Sequence, residues 1–178
     1  MLRRSLLTSA IAASLLTTFS LPAFATQVYE TDLVIIGGGL SGLAAAQSAV
    51  DQGAKPIVLE KEAALGGGGN FPEGSLGVGT RYQKEHNINT TVDQVLTAAL
   101  QYHHYRADPH VLRVLIEESG KTIDWVMDKG AQMRGIRTMY PKDESLMTWH
   151  LFKGGAAGII QRFAKEAVSY THLTLPTI

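Results

Sequence analysis

The stretch Asp32-Leu33-Val34-Ile35-Ile36-Gly37-Gly38-Gly39-Leu40-Ser41-Gly42-Leu43-Ala44-Ala45-Ala46 reads as a buried apolar strand that turns through Gly37-x-Gly39-x-x-Gly42 into an alanine-rich helix. Each glycine answers a different steric demand: Gly37 permits the tight turn, Gly39 lets the backbone approach a pyrophosphate, and Gly42 lets the helix pack close to the strand. Amides and the positive dipole at the helix start, near Leu40 and Ser41, offer an anion site that needs no charged side chain. A second apolar run, Lys55-Pro56-Ile57-Val58-Leu59, ends in Glu60. Strand, glycine turn, helix, strand and terminal acid together are the context that a dinucleotide-binding βαβ unit requires. Glu60 stands where an acid accepts hydrogen bonds from ribose hydroxyls, and its charge disfavours a 2′-phosphate, so FAD or NAD is favoured over NADP. The competing reading is a glycine-rich turn in another α/β protein, with Glu60 a solvated strand end.

The chain has 178 residues, 45% of them hydrophobic, which is enough for one ordinary core. Sixteen basic residues balance sixteen acidic ones, so charge gives no reason to expect nucleic acid or an acidic membrane surface as partner. The first 25 residues are of another kind: Arg3-Arg4, an apolar run from Leu6 to Leu21 diluted by serine and threonine, then Ala23-Phe24-Ala25. They predict an export signal cleaved after Ala25, a periplasmic location and no stable membrane anchor; an anchor is the alternative reading. Arg3-Arg4-Ser5-Leu6-Leu7 suits either a twin-arginine or a general export route. Without cysteine there is no disulfide, no thiolate metal site and no C-x-x-C-H haem attachment, and no metal site is expected. Electrons must then come through a partner.

Downstream, residues 62–79 predict a long loop rich in glycine, either backbone approaching a ligand or a flexible surface segment. A helical stripe runs from Thr91 to Tyr105, and Asp108-Pro109 opens a further helix through Val111, Leu112, Leu115, Ile116, Ile123 and Val126. A short strand or turn is expected near 131–139. Gly154-Gly155 then lead into a last helix with Ile159, Ile160, Phe163, Ala164 and Ala167 on one apolar face. The final segment, Ser169-Tyr170-Thr171-His172-Leu173-Thr174-Leu175-Pro176-Thr177-Ile178, resembles a translated sequencing adapter and is expected to be non-native; an edge strand is the alternative.

From Thr31 to Ala167 the chain resembles the N-terminal part of the FAD-dependent fumarate reductase/succinate dehydrogenase flavoprotein family. The likeness rests on Gly37-x-Gly39-x-x-Gly42, on Leu59-Glu60-Lys61-x-x-x-x-Gly66-Gly67, and on Phe71-x-Glu73-Gly74 with Arg81. It implies an α/β, Rossmann-like FAD-binding domain with a parallel sheet, incomplete because the C-terminal half and capping domain are missing. Domain boundaries are expected at 1–25 (signal), 26–168 (N-terminal part of the FAD domain) and 169–178 (tail). The implied FAD contacts are Gly37, Gly39, Leu40, Ser41, Gly42, Glu60, Lys61, Gly66, Gly67 and Gly68. Many members carry Asn and then Ser or Thr after the double glycine, where this chain has Gly68-Gly69. The loop has no histidine before His86, so non-covalent FAD is expected.

The resemblance further implies an oxidoreductase that reduces the C=C bond of a small unsaturated carboxylate by hydride transfer from reduced flavin, fed by a separate donor such as a cytochrome. A dehydrogenase of another substrate, such as a ketosteroid, and an inactive FAD-binding fragment are the alternatives. The proton donor is expected outside this chain, and surface solvation is expected for Arg81, Arg106, Arg113, Arg134 and Arg137. His103 and His104, adjacent on a helix, point about 100° apart and suit neither a shared metal nor an acid–base pair; one is expected packed and one exposed. His150 reads as a substrate or flavin contact or as a structural loop histidine, and Trp125 and Met127 as helix packing. Strands missing from the sheet would leave apolar faces of the first strands and last helix uncovered.

Overall fold

A computed structural model describes residues 28–139, 146–167 and 172–174. The predicted export signal lies outside the described residues, as does most of the tail. The described residues from Thr31 onward belong to one compact unit.

The quoted stretch folds as read. Strand β1 (Leu33–Ile36) turns into helix α1 (Leu40–Asp51), which returns to strand β2 (Pro56–Glu60). β1 and β2 are parallel, Leu33 opposite Pro56 and Ile36 opposite Leu59, and the amide of Gly37 extends the ladder to the Leu59 carbonyl at 2.7 Å. Backbone at His172–Thr174 (β6) pairs in parallel with the other edge of β2, so the sheet runs β1-β2-β6. This is the expected α/β architecture with a parallel sheet.

The strand is not buried as its composition suggested. Leu33, Val34 and Ile36 are 42%, 52% and 81% exposed, because β1 is an edge strand among the described residues and α1 covers only part of one face. Uncovered apolar faces were expected on the first strands and on the last helix; β1 alone fits, since β2 is buried and Ile159, Ile160 and Phe163 of the last helix lie in the core.

A second, antiparallel sheet lay largely hidden in the sequence. The predicted loop contains a 3-10 turn at Gly67–Asn70 and strand β3 (Gly74–Leu76). After helices α2 (Arg81–Glu85), α3 (Val92–Tyr102) and α4 (Pro109–Asp128) come β4 (Met133–Thr138) and β5 (Met147–Phe152), in the order β3-β5-β4. In β5 the buried positions are Thr148, His150 and Phe152, so two polar residues face inward and mask the two-residue hydrophobic period. Helix α5 (Gly155–Ala167) follows.

The helix starts agree with the sequence. Asp108 caps α4 through its carboxylate, accepting from the amides of His110 and Val111, with Pro109 at the first position. Thr91 and Gln94 form a capping box on α3, and Thr80 and Gln83 another on α2. Tyr102 is the last residue of α3. His103 and His104 lie past its end, His104 with φ of +52°, and both are exposed, so neither packs as expected.

The principal core joins Leu43 of α1, Ile123 and Val126 of α4, Phe152 of β5, and Ile159, Ile160 and Phe163 of α5, with Trp125 tilted on Phe163 at 5.2 Å and Met127 at its edge. Burying each large apolar side chain there stabilises by roughly 1.5–3 kcal/mol. A smaller cluster of Val78, Val95, Leu96 and Ile116 ties α3 and α4 to the end of β3. The first turns of α4 depart from expectation, with Val111 and Leu115 exposed rather than in the core.

Gly120 lets α4 lie against the chain after β3, since a Cβ there would stand 2.1 Å from the Val78 carbonyl oxygen. Ala in place of a mid-helix glycine ordinarily gains up to about 1 kcal/mol. Gly120→Ala is expected to do the reverse and lose about 1–3 kcal/mol in urea unfolding; a more stable variant would contradict this packing.

Candidate functional site

Three backbone segments meet at the carboxyl end of the parallel sheet: the β1–α1 turn, the end of β2 and the start of the glycine loop. Glu60 ties them. Its carboxylate accepts from the Gly38 amide at 2.6 Å and from the Glu62 amide at 3.0 Å, and the side chain is only 8% exposed. The Gly66 amide donates to the Gly38 carbonyl at 2.7 Å, and Gly39 and Gly66 bridge in parallel.

The fingerprint glycines meet the demands read from the sequence. Gly37 has φ of +100°. A Cβ on Gly42 would lie 1.9 Å from the Gly37 carbonyl oxygen, so only glycine lets α1 start this close to β1. Gly39 is different: its φ of −71° suits any residue, and a Cβ would find only the Gly66 oxygen, at 4.0 Å. Space is therefore left open in front of the helix. Gly39, the N-cap of α1, supplies no side-chain acceptor, and the first turn carries no acid, so the first-turn amides keep their capacity for an anion.

These ties bring the turn Gly37, Gly39, Leu40, Ser41 and Gly42 and the acid Glu60 to the start of the glycine loop at Gly66, which runs on through Gly67 and Gly68. Lys61 stands apart, exposed and 3.6 Å from Glu62. Gly38, Leu65 and Asn70 carry no signal in the spacing motif, and Gly69 enters it only as a departure from the family pattern. A Cβ on Gly38 would reach within 2.3 Å of the Leu65 side chain, and one on Gly69 within 2.9 Å of Leu40 Cβ. Runs of three and four glycines were the available signal, since spacing motifs treat the intervening positions as free.

Polar groups elsewhere are engaged structurally. Arg81 pairs with Asp124 and Asp128, Arg113 with Asp93 and Glu117, and Arg134 and Arg137 both with Glu73, all at the surface as expected. His150 is not on a loop. It is fully buried on β5, with Nδ1 3.0 Å from the Thr148 carbonyl, to which it donates, and Nε2 2.9 Å from Thr80 Oγ1. The ring lies over Gly77, whose Cβ would fall 2.8 Å from it. This is the structural role, joining β5 to the cap of α2.

Two proton equilibria follow. Backbone amides of Glu62 and then Gly38 hold the Glu60 carboxyl below its usual 4.5, and burial pushes His150 below 6.5. Both groups have depressed folded-state values, so each contributes stability that is complete above its unfolded pKa and lost as pH falls through the folded one. The His150 loss begins below about pH 6.5 and the Glu60 loss below about pH 4.5. His150→Phe is expected to flatten the fall in urea midpoint between pH 7 and 5; an unchanged profile would refute the assignment. Glu60→Gln, with one acceptor for two amides, is expected to lose about 1–3 kcal/mol at pH 7 in the same assay.

Comparison with known proteins agrees with this geometry. A family model described as FAD binding domain matches residues 32–169. Vinyl phenol reductase of Lactiplantibacillus plantarum is 35% identical over 129 residues, covering 72% of this chain and 26% of that protein. Fumarate reductase (cytochrome) of Shewanella frigidimarina is 31% identical over 151 residues, covering 82% and 26%. The open conformation of a flavocytochrome c3 fumarate reductase shares the fold with a TM-score of 0.66 at 21% identity, over 94% of this chain and 28% of that one. The chain spans about a quarter of the length of these proteins. With an uncapped helix start, an open glycine approach and a buried acid at the end of β2, it belongs to the FAD binding domain family.

Proposed function

We propose that this chain is the FAD-binding part of an exported flavoprotein oxidoreductase that reduces the C=C bond of a small unsaturated carboxylate. The observation that carries the cofactor half is the free space beside Gly39 at the uncapped start of α1, with Glu60 and Gly66 tied to the same turn. Leu40 and Ser41 amides would take the pyrophosphate, Glu60 the adenosine ribose, and the glycine loop would close over the middle of the cofactor. Glu60 keeps lone pairs for hydroxyl donors beyond the two amides it already binds. No histidine precedes His86 in the loop, which favours FAD held without a covalent link.

Bound FAD would, once reduced, supply a hydride to one carbon of the double bond while a proton reaches the other. Relatives named as reductases of vinyl phenol and of fumarate support that class of chemistry. Arg81, Arg113, Arg134 and Arg137 pair with neighbouring carboxylates, which supports a proton donor supplied by residues outside this unit. The relative named as a cytochrome-linked fumarate reductase supports a cytochrome as electron donor. The composition of residues 1–25 supports export to the periplasm, 26–168 supply the N-terminal part of the FAD domain, and 169–178 read as a non-native tail.

Gly39→Ala separates binding from folding, because the added methyl meets nothing in the protein but enters the space left for the pyrophosphate. Urea stability is expected to stay within about 1 kcal/mol of the parent, while FAD affinity, read by flavin fluorescence, falls at least about tenfold. Unchanged FAD affinity would remove the cradle assignment. For the reaction, reduced viologen should be oxidised by fumarate or acrylate in the presence of the full-length parent; flavin reduction by a saturated steroid instead would favour the dehydrogenase reading.

A further inference from the structure

The stretch Gly66-Gly67-Gly68-Gly69 is the most entropically costly backbone in the molecule to hold in one shape, since glycine loses more conformational freedom on ordering than any other residue. It carries no side chain of its own with which to do so. The next residue supplies one. The Asn70 amide nitrogen turns back across the loop and donates to the Leu65 carbonyl at 3.1 Å and the Gly67 carbonyl at 3.3 Å. Its amide group fills the space where a Cβ on Gly66 would go, with Nδ2 at 2.4 Å and Oδ1 at 2.7 Å from that point, and Gly66 sits at φ of +105°. Backbone bonds complete the ring: Gly66 to the Gly38 carbonyl at 2.7 Å and Gly69 to the Gly66 carbonyl at 2.9 Å.

We infer that Asn70 is a positioning residue for the dinucleotide: its side-chain amide closes the tetraglycine loop in the shape that receives the cofactor, and does so before the cofactor arrives. The inference rests on the reading that this loop contacts FAD. Two physical effects act together. Closing the loop in the free protein removes ordering entropy that binding would otherwise have to meet. Occupying the Leu65 and Gly67 carbonyl oxygens with donors also withdraws two negative dipole ends from the surroundings of an anionic pyrophosphate. Aspartate at 70 would reverse both, lacking donors and adding a charge.

The test uses the full 178-residue chain with and without FAD. Asn70→Ala is expected to weaken FAD binding about tenfold, to speed amide hydrogen exchange at residues 66–69 in the FAD-free protein, and to leave the urea midpoint nearly unchanged, since Asn70 is exposed. Asn70→Asp is expected to weaken binding more than alanine does. Affinity within twofold of the parent overturns the inference, as does lost affinity with unaltered loop exchange in the free protein, which would make Asn70 a direct contact. If Gly39→Ala weakens FAD while Asn70→Ala does not, only the Asn70 role fails; if neither does, or the parent chain takes up no FAD, the cradle reading fails with it.

Discussion

The hydrogen bond from the Gly38 amide to the Glu60 carboxylate, 2.6 Å long and shielded from solvent, is the tie on which the site depends. It joins the glycine turn that follows β1 to the end of β2, and the neighbouring bond from Gly66 to the Gly38 carbonyl brings in the glycine loop. Charge-assisted bonds to backbone amides are shorter and stronger than neutral ones, and burial strengthens them further. The same carboxylate that orders the protein backbone is the group with lone pairs left for a ribose. On the proposed reading, preparation of the site and recognition of its ligand would fall on one side chain.

Helix α1 reaches this point from the other side. Its start is forced against β1 by Gly42 and left without a capping side chain by Gly39, so its amides keep their capacity to bind an anion. The apolar side of α1, through Leu43, is held by α5 and α4 in the principal core. Further along, Gln47 and Asp51 join Trp125 and Lys129 in a polar contact between α1 and α4. Packing fixes the direction of the helix, and the glycines fix where it begins.

The nucleotide-binding half was legible because its demands are local. Turn geometry, helix dipole and strand-end acid all fall within residues 32–60, and each leaves a mark on residue type. The antiparallel sheet was less legible because its reasons are distant. Thr148 and His150 are polar yet inward-facing, Thr148 donating to the nearby Leu146 carbonyl and His150 meeting Thr80 some 70 residues earlier, and no window of sequence around β5 contains that distant partner. Exposure of β1 was misread for a similar reason: apolar composition reports what a strand is built to be covered by, not what lies over it here. Gly38 and Asn70 went unnoticed because a spacing motif counts the fixed positions and ignores those between, although contact with Leu65 and with the loop carbonyls constrains them as firmly.

Strand β1 carries a further implication. No described strand pairs with its outer edge, and the side chains of Val34 and Ile36 are mostly in water. A strand in that condition is a template for any other extended chain, including a second copy of itself. The solution behaviour of this polypeptide should therefore depend on its concentration: self-association through β1 would compete with monomer, and a partner strand laid along that edge would act as a solubilising agent. Edge pairing would leave the cradle intact, since the Glu60 tie and the mouth at Gly39 lie at the end of the strands rather than along their side.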